Sequence, residues 1–448
     1  MKCNRKMFTA VLAIASATVL MLSACDEAER EESGGTGEDG SLAAQGDIAE
    51  NDESTNDWES EPYYYGTDEI VHDFDPEAML HAGEGASYFF SSELEDITFY
   101  PEEAAVKRMG RFIEYKDTYY LSYTCSGVSF LMTGDKAEAV MVSNGGAYAD
   151  NQQGWVGVLI NGELTKRIQL SPGEETYTLY EGDELKNAEI AIVKLSENQM
   201  ACTGIKSISC HASRIAPKFR KERQIEFIGD SITCGYGNEA ESPADGFDSA
   251  EENGLLTYGY MTAENLGMEP MITAISGIGL ISDYTGTVGV KEDYLLMPQV
   301  YDNSDTNFEM RRGFDELTPW GFRKQSDIIV INLGTNDYSY TGRNEDLQLE
   351  FENAYYKFLG QVRSKNPDAR IICTMGIMGA ELFDEIENAA IRYREDFDDE
   401  NIFVMKFDYQ SEEDGYGGDY HPTAATHRKA AQKLTEFIRE LENQGDTE

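Results

Sequence analysis

The chain has 448 residues and carries 83 Asp and Glu against 36 Lys and Arg, a formal charge of −47. That length accommodates two domains of ordinary size with residues to spare. So acidic a surface repels nucleic acid, anionic lipid and anionic polysaccharide, and leaves neutral molecules as the better partners.

Residues 1–24 read as an export signal. Lys2, Arg5 and Lys6 precede an apolar run from Met7 to Leu22, and small residues follow. The run is too short to span a bilayer comfortably. Its end, Leu22-Ser23-Ala24-Cys25, resembles the bacterial lipobox, in which the Cys thiol receives a diacylglyceryl group and becomes the mature N-terminus. The resemblance implies lipidation of Cys25 and a cell-surface lipoprotein whose only membrane contact is that anchor; a plain secreted protein is the alternative. Residues 25–68 then read as a disordered tether. Between Asp26 and Glu61 lie fourteen acids and one base, Arg30. Such a segment buries too little apolar surface to offset ordering, and its like charges extend it.

Five cysteines follow Cys25: Cys125, Cys202, Cys210, Cys234 and Cys373, an odd number without metal-ligand spacing. Cys202 and Cys210 bracket "TGIKSIS"; as a strand this separates them by about 26 Å, far beyond disulfide reach. Small buried apolar residues are the expectation.

From 69 to 217 short alternating runs are separated by turn signals, as in "EAVMVS" (138–143) and "AEIAIVKLS" (188–196). Asn161-Gly162 inside "GWVGVLINGELTKRIQL" marks a tight hairpin, because both residues tolerate the positive φ of a type I′ turn. Many short strands without a long helical pattern predict a jelly-roll-like β-sandwich.

The texture changes at 218. Strands apolar throughout ("IEFIGD", "PMITA", "SDIIVINL", "ARIICTMGIM", "NIFVMKFD") now alternate with helical patterns near 346–364, 381–396 and 423–443. Such strands, joined by helices, predict a parallel sheet covered on both faces, a three-layer α/β/α domain over 218–448. Ligands bind such sheets beyond the carboxyl ends of the strands. Four strand-end or helix-start segments carry unusual residues there: "GDS" (229–231), "ISGIG" (275–279), "GTND" (334–337) and "DYHP" (419–422).

This set resembles the SGNH, or GDSL-type, hydrolases, a flavodoxin-like fold whose four sequence blocks supply Ser, Gly, Asn and His in that order. The matching positions are Ser231, Gly277, Asn336 and His421. The resemblance implies Ser231 as nucleophile, His421 as its base, and an oxyanion hole from the Ser231 and Gly277 N–H groups and the Asn336 side chain. Residue chemistry agrees. A serine needs a base in contact, and of the five histidines His421 directly precedes Pro422, which suits a first helical position. His427, inside the last helix, is expected at the surface. Asp230 and Asp337 are expected to anchor their loops. One position departs from the family pattern: the orienting Asp three residues before the His is here Gly418, and Asp419 stands two before. Either Asp419 reaches the imidazole or a backbone carbonyl orients it, and the carbonyl is favoured.

The pairing of a β-domain with these blocks, and with "PWGFRKQSDIIVINLGTND", is similar to carbohydrate esterase family 2 (acetyl xylan and glucomannan esterases). That resemblance implies removal of acetyl groups from plant polysaccharides or oligosaccharides, including 6-O-acetyl of hexosyl units, through a metal-free and cofactor-free acyl-enzyme. Trp320, Tyr338 and Tyr420 flank the motifs and are candidates to pack on a sugar ring. The alternatives are an SGNH lipase, a peptidoglycan O-acetylesterase, or an inactive glycan-binding lipoprotein. The charge disfavours an anionic wall polymer, no apolar lid segment accompanies the motifs, and the four blocks are complete.

Overall fold

The computed structural model describes residues 89–146, 149–244 and 246–445. The expected signal, Cys25, the tether and the first part of the β-domain lie outside the described residues.

The N-terminal domain is built from β1 (Phe89–Phe99), β2 (Lys107–Met109), β3 (Phe112–Tyr115), β4 (Thr118–Leu121), β5 (Gly127–Ser143), β6 (Gly154–Ile160), β7 (Glu163–Leu170), β8 (Gly173–Lys194) and β9 (Thr203–Ala216). All pair antiparallel, in the order β3-β4-β9-β5-β8-β6-β7, with β1 on β9 and β2 on β5. Alternation places Ala137, Ala139 and Met141 of β5 in the core beside Ile190, Ile192, Ile205 and Ile208. Register shifts in β5 between Met132 and Lys136 mark bulges, which bend and twist long strands. Asn161 (φ 53) and Gly162 (φ 85) turn β6 into β7, the conformation a type I′ hairpin requires.

The C-terminal domain holds five parallel strands: β10 (Gln224–Gly229), β11 (Glu269–Ala274), β12 (Ile328–Asn332), β13 (Arg370–Ile377) and β14 (Ile402–Tyr409). Their order is β11-β10-β12-β13-β14. Ile329 and Ile331 face helices Glu345–Lys365 and Phe383–Phe397. Ile328 and Val330 face the opposite core, which holds residues of helices Tyr258–Leu266 and Ala424–Gly445. Both faces are buried over most of the sheet, which is why the strand sequences are largely apolar. In this order β10 has β11 on one side and β12 on the other. The loops that follow β10 and β12 therefore diverge there, at the switch point where such sheets bind ligands.

An apolar cluster and a buried ion pair are among the features that join the domains. Cys125, Leu159, Ala191, Val193 and Leu195 of the first domain belong to the same apolar cluster as Phe227 and Tyr258 of the second. Arg111, just before β3, is fully buried and donates from Nη2 to Glu226 Oε1 of β10 at 3.1 Å. Its Nη1 donates to Tyr301 O and Asn303 O at 2.6 and 2.9 Å.

His427 is not at the surface. It is fully buried, and its Nδ1 accepts the Tyr258 N–H at 3.2 Å. The reason is periodicity: His427 shares a helix face with Ala430, Ala431, Leu434 and Ile438, all of which are core residues. The five cysteines Cys125, Cys202, Cys210, Cys234 and Cys373 are free and buried, as expected.

Candidate active site

The chain leaves β10 through Asp230, whose side chain accepts the Ile232 N–H at 3.0 Å and caps the single turn Ser231–Cys234. Ser231 is thereby the first helical residue beyond the strand, and its side chain reaches the histidine loop. His421 Nε2 lies 2.9 Å from Ser231 Oγ. His421 Nδ1 lies 3.1 Å from Gly418 O. A carbonyl only accepts, so Nδ1 carries the proton and donates it, and the Nε2 lone pair faces the serine hydroxyl. Burial lowers the His421 pKa to about 4, although the Gly418 and Asp419 carbonyls work in the opposite direction. The imidazole is a neutral acceptor at neutral pH.

The Asp419 carboxylate is not the partner of the imidazole. Its Oδ2 accepts the Tyr236 hydroxyl at 2.9 Å, and the Tyr236 ring packs on the His421 ring at 4.2 Å between centroids. Gly418 cannot be the aspartate found at that position in many SGNH enzymes. A Cβ there would lie 2.7 Å from Gly246 O and 3.4 Å from Gly237 Cα, and its N–H donates to Gly237 O at 2.9 Å. The histidine loop is docked backbone against backbone on the loop after Ser231. Asp419 (φ 50) and Tyr420 (φ 64) both adopt left-handed conformations within it. The bond from Gln410 Nε2 to Tyr420 O at 2.8 Å and that from Gly417 N to His421 O at 2.8 Å hold this strained turn.

The second and third motif loops are tied to the first. Ile275 N donates to Gly229 O at 3.4 Å. Asn336 Nδ2 donates to Ile278 O at 2.9 Å, and its other hydrogen meets Asp230 Oδ2 at 3.4 Å. Asp337 accepts from the N–H groups of Leu280, Ile281 and Ser282 at 2.8–3.2 Å and so clamps the second loop. Burial pushes Asp230 up to about 7 and Asp337 up to about 6, against the pull of these backbone bonds. Gly277 has φ 83, and a Cβ on it would meet nothing within 4 Å. The Cβ side of Gly277 thus faces open space, while its carbonyl accepts the Tyr284 N–H at 2.8 Å.

The sugar-ring candidates fare differently. Trp320 is not at this edge: its ring meets Phe112 edge-on at 5.9 Å and lies 5.6 Å from the Arg111 guanidinium. Because Arg111 is anchored on β10 at Glu226, the indole belongs to the domain junction. Tyr338 packs against the core under helix Glu345–Lys365. Tyr420 is half-buried next to His421, its ring 5.9 Å from Tyr416. Two residues beyond the motifs also reach the site, Tyr236 and Glu197. Tyr236 lies within the first block's own continuation. Glu197 comes from the other domain, where no local pattern points to it.

Cys234 stays a protonated thiol, because burial and then the charges of Glu197, Glu252 and Asp230 push its pKa well up. Among the described residues, the ligand atoms of Glu197, Cys234 and Glu252 lie within 4.8 Å of one another. Both Glu197 oxygens accept from Ser276 and Glu252 Oε2 accepts the Glu197 N–H at 3.1 Å, so Glu197 is spent on protein bonds, whereas Glu252 Oε1 is buried without a hydrogen-bond partner among the described residues.

A buried Ser–His pair at the switch point of a five-stranded parallel sheet defines an SGNH-type acyl-transfer site. Residues 227–429 match the GDSL-like Lipase/Acylhydrolase family, and residues 108–218 match the Carbohydrate esterase 2 N-terminal family. The chain therefore pairs a GDSL-like lipase/acylhydrolase domain with a carbohydrate esterase 2 N-terminal domain. It is 30% identical over 71% of its length to the cellulase/esterase CelE of Acetivibrio thermocellus, of whose length it spans 37%. It is 26% identical over 75% of its length to an acetylxylan esterase/glucomannan deacetylase of Cellvibrio japonicus, covering 88% of that protein. A family two carbohydrate esterase from Clostridium thermocellum, solved with cellohexaose, aligns at a TM-score of 0.64 and 28% identity, covering 75% of this chain and 99% of that one.

Proposed function

We propose that this protein is a carbohydrate O-acetyl esterase that removes acetyl groups from plant polysaccharides or oligosaccharides, 6-O-acetyl hexosyl units among them. The observation that carries the reading is the 2.9 Å contact between His421 Nε2 and Ser231 Oγ, with the opposite ring nitrogen committed to Gly418 O. His421 takes the Ser231 proton as Oγ attacks the acetyl carbon, and the carbonyl oxygen becomes an oxyanion. The N–H groups of Ser231 and Gly277 and the Asn336 amide stabilise it. Asn336 serves by releasing its 3.4 Å contact to Asp230, a weak bond, while keeping the shorter one to Ile278 O. The tetrahedral intermediate expels the sugar oxygen, which takes the proton from His421. Water, deprotonated by His421, then attacks the acetyl-serine; the C–Oγ bond breaks, Ser231 Oγ takes the proton back from His421, and acetate is released.

The substrate class is supported by the relatives named for acetylxylan and glucomannan deacetylation and by a charge of −47 that suits neutral glycans better than anionic wall polymers. Tyr420 is the aromatic best placed for a sugar ring. Its test is acetate release from acetylated glucomannan, acetylated xylan and O-acetylated peptidoglycan. Preference for a neutral glycan supports the reading; preference for peptidoglycan overturns it.

We further propose that the protein is exported and anchored through lipidated Cys25, on the strength of Leu22-Ser23-Ala24-Cys25 and the acidic segment behind it. Mass spectrometry of the mature N-terminus tests this: a diacylglyceryl Cys25 is expected, and a chain beginning elsewhere contradicts it.

A further inference from the structure

We propose that Glu197, supplied by the antiparallel domain, is a positioning residue for the Gly277 loop, so that the N-terminal domain helps to build the oxyanion hole of the C-terminal one. The proposal rests on the reading above, in which the Gly277 N–H is an oxyanion donor.

Glu197 lies between β8 and β9 and is fully buried. Its Oε2 accepts the Ser276 N–H at 2.9 Å, and its Oε1 accepts the Ser276 hydroxyl. Ser276 is the residue before Gly277, so the carboxylate fixes the peptide adjoining the one whose N–H faces the oxyanion. Position 277 has no side chain to anchor it, and a Cβ there would touch nothing within 4 Å. Its carbonyl accepts the Tyr284 N–H at 2.8 Å, and the side-chain anchors of the loop lie on its flanks. After Gly277 the anchors are Asn336 on Ile278 and Asp337 on residues 280–282, both from the same domain. Before it, the side-chain anchor is Glu197.

The anchor is itself held firmly. Glu252 Oε2 accepts the Glu197 N–H at 3.1 Å, Leu195 O accepts the Gly254 N–H at 3.0 Å, and Cys234 Sγ lies 3.7 Å from Glu197 Oε2. Two carboxyl groups buried side by side are a costly way merely to fill space. Burial raises the pKa of both. An arrangement that costs stability at the edge of a catalytic loop is what functional sites show.

The test uses the full chain, with 4-nitrophenyl acetate as substrate and circular dichroism as the check on folding. Glu197→Ala is expected to lower kcat roughly 10- to 100-fold, part of what losing a whole oxyanion donor costs. KM is expected to stay within about threefold, because the lost interaction acts on the transition state. Acylation and deacylation both pass through an oxyanion, so whichever limits kcat is slowed. Glu197→Gln is expected to recover most of the loss, since its Oε1 still accepts the Ser276 N–H and its Nε2 donates to Ser276 Oγ. Ser276→Ala removes one of the two bonds and serves where Glu197→Ala does not fold; kcat should fall about 3- to 10-fold at unchanged KM. Wild-type kcat in folded Glu197→Ala or Ser276→Ala, or equal loss in the Gln and Ala variants, overturns the proposal. Ser231→Ala separates it from the reading beneath. If Ser231→Ala is inactive while Glu197→Ala turns over at the wild-type rate, only the positioning role falls. If Ser231→Ala is as active as wild type, the esterase reading falls.

Discussion

The Asp419 carboxylate accepts the Tyr236 hydroxyl at 2.9 Å, and so the acid nearest His421 in sequence is spent on the tyrosine that packs against the imidazole. The ring is oriented by Gly418 O instead. Asp419→Asn is therefore expected to lower kcat/KM by no more than about tenfold, through a loosened Tyr236. The Asp of a true triad is worth about 10⁴ in kcat. Steady-state kinetics on 4-nitrophenyl acetate distinguishes the two, and a loss near the larger figure places Asp419 in the mechanism.

Restoring the acid at the position usual for the family should do harm. Gly418→Asp puts a Cβ 2.7 Å from Gly246 O, and these are backbone contacts that no rotamer relieves. A fall of at least tenfold in kcat/KM with a lowered Tm is the expected outcome, of the size caused by misplacing a catalytic base. Unchanged or improved activity contradicts the docked-backbone account of the histidine loop.

The pH profile follows from burial of the base. His421 must be neutral to take a proton, and it binds the disabling proton only as pH falls towards about 4. Its unperturbed value would place that limb near 6.5. Stable enzyme assayed from pH 8 downward should therefore hold its kcat/KM to about pH 5 and lose it below. Burial raises Asp230 to about 7 and Asp337 to about 6, and neither moves a proton in the reaction; the same profile in Asp230→Asn and Asp337→Asn assigns the limb to His421. An acidic limb centred at 6–7 contradicts the dry environment of the imidazole.

Both sheets and the main helices were readable because their residues repeat a simple period. β12 is apolar from Ile328 to Ile331 because both faces are covered, and the Asn161-Gly162 turn advertises its φ angles. The four motif residues were readable because each stands where a strand ends or a helix begins. A backbone carbonyl as the orienting group is the favoured expectation and holds, but which carbonyl is not legible, because every residue has one; only Gly418, the glycine that brings it close, leaves a mark. Glu197 and Ser276 lie 79 residues apart in different domains, beyond any local pattern. Trp320 was misplaced for the same reason, since its partners Phe112 and Arg111 come from the first domain. His427 was misread despite a usable signal, the apolar residues three, four and seven positions on.

The domain junction should be a large term in stability. Arg111 and Glu226 are both fully buried, and Thr273 Oγ1 also donates to Glu226 Oε1 at 2.8 Å. Arg111→Met leaves the carboxylate uncompensated and is expected to cost about 3–5 kcal/mol, whereas replacing both partners with apolar residues is often far milder. Urea denaturation of Arg111→Met and of Arg111→Met/Glu226→Leu measures the difference. A single variant as stable as wild type contradicts the buried pairing.

The most direct measurement of the central claim is the rate of acetate release from acetylated glucomannan by wild type and Ser231→Ala at equal folded concentration. The account predicts a loss of about 10⁴-fold or more with circular dichroism and Tm unchanged. Residual turnover within about tenfold of wild type in a folded Ser231→Ala would contradict it, because the attacking oxygen would then not be that of Ser231.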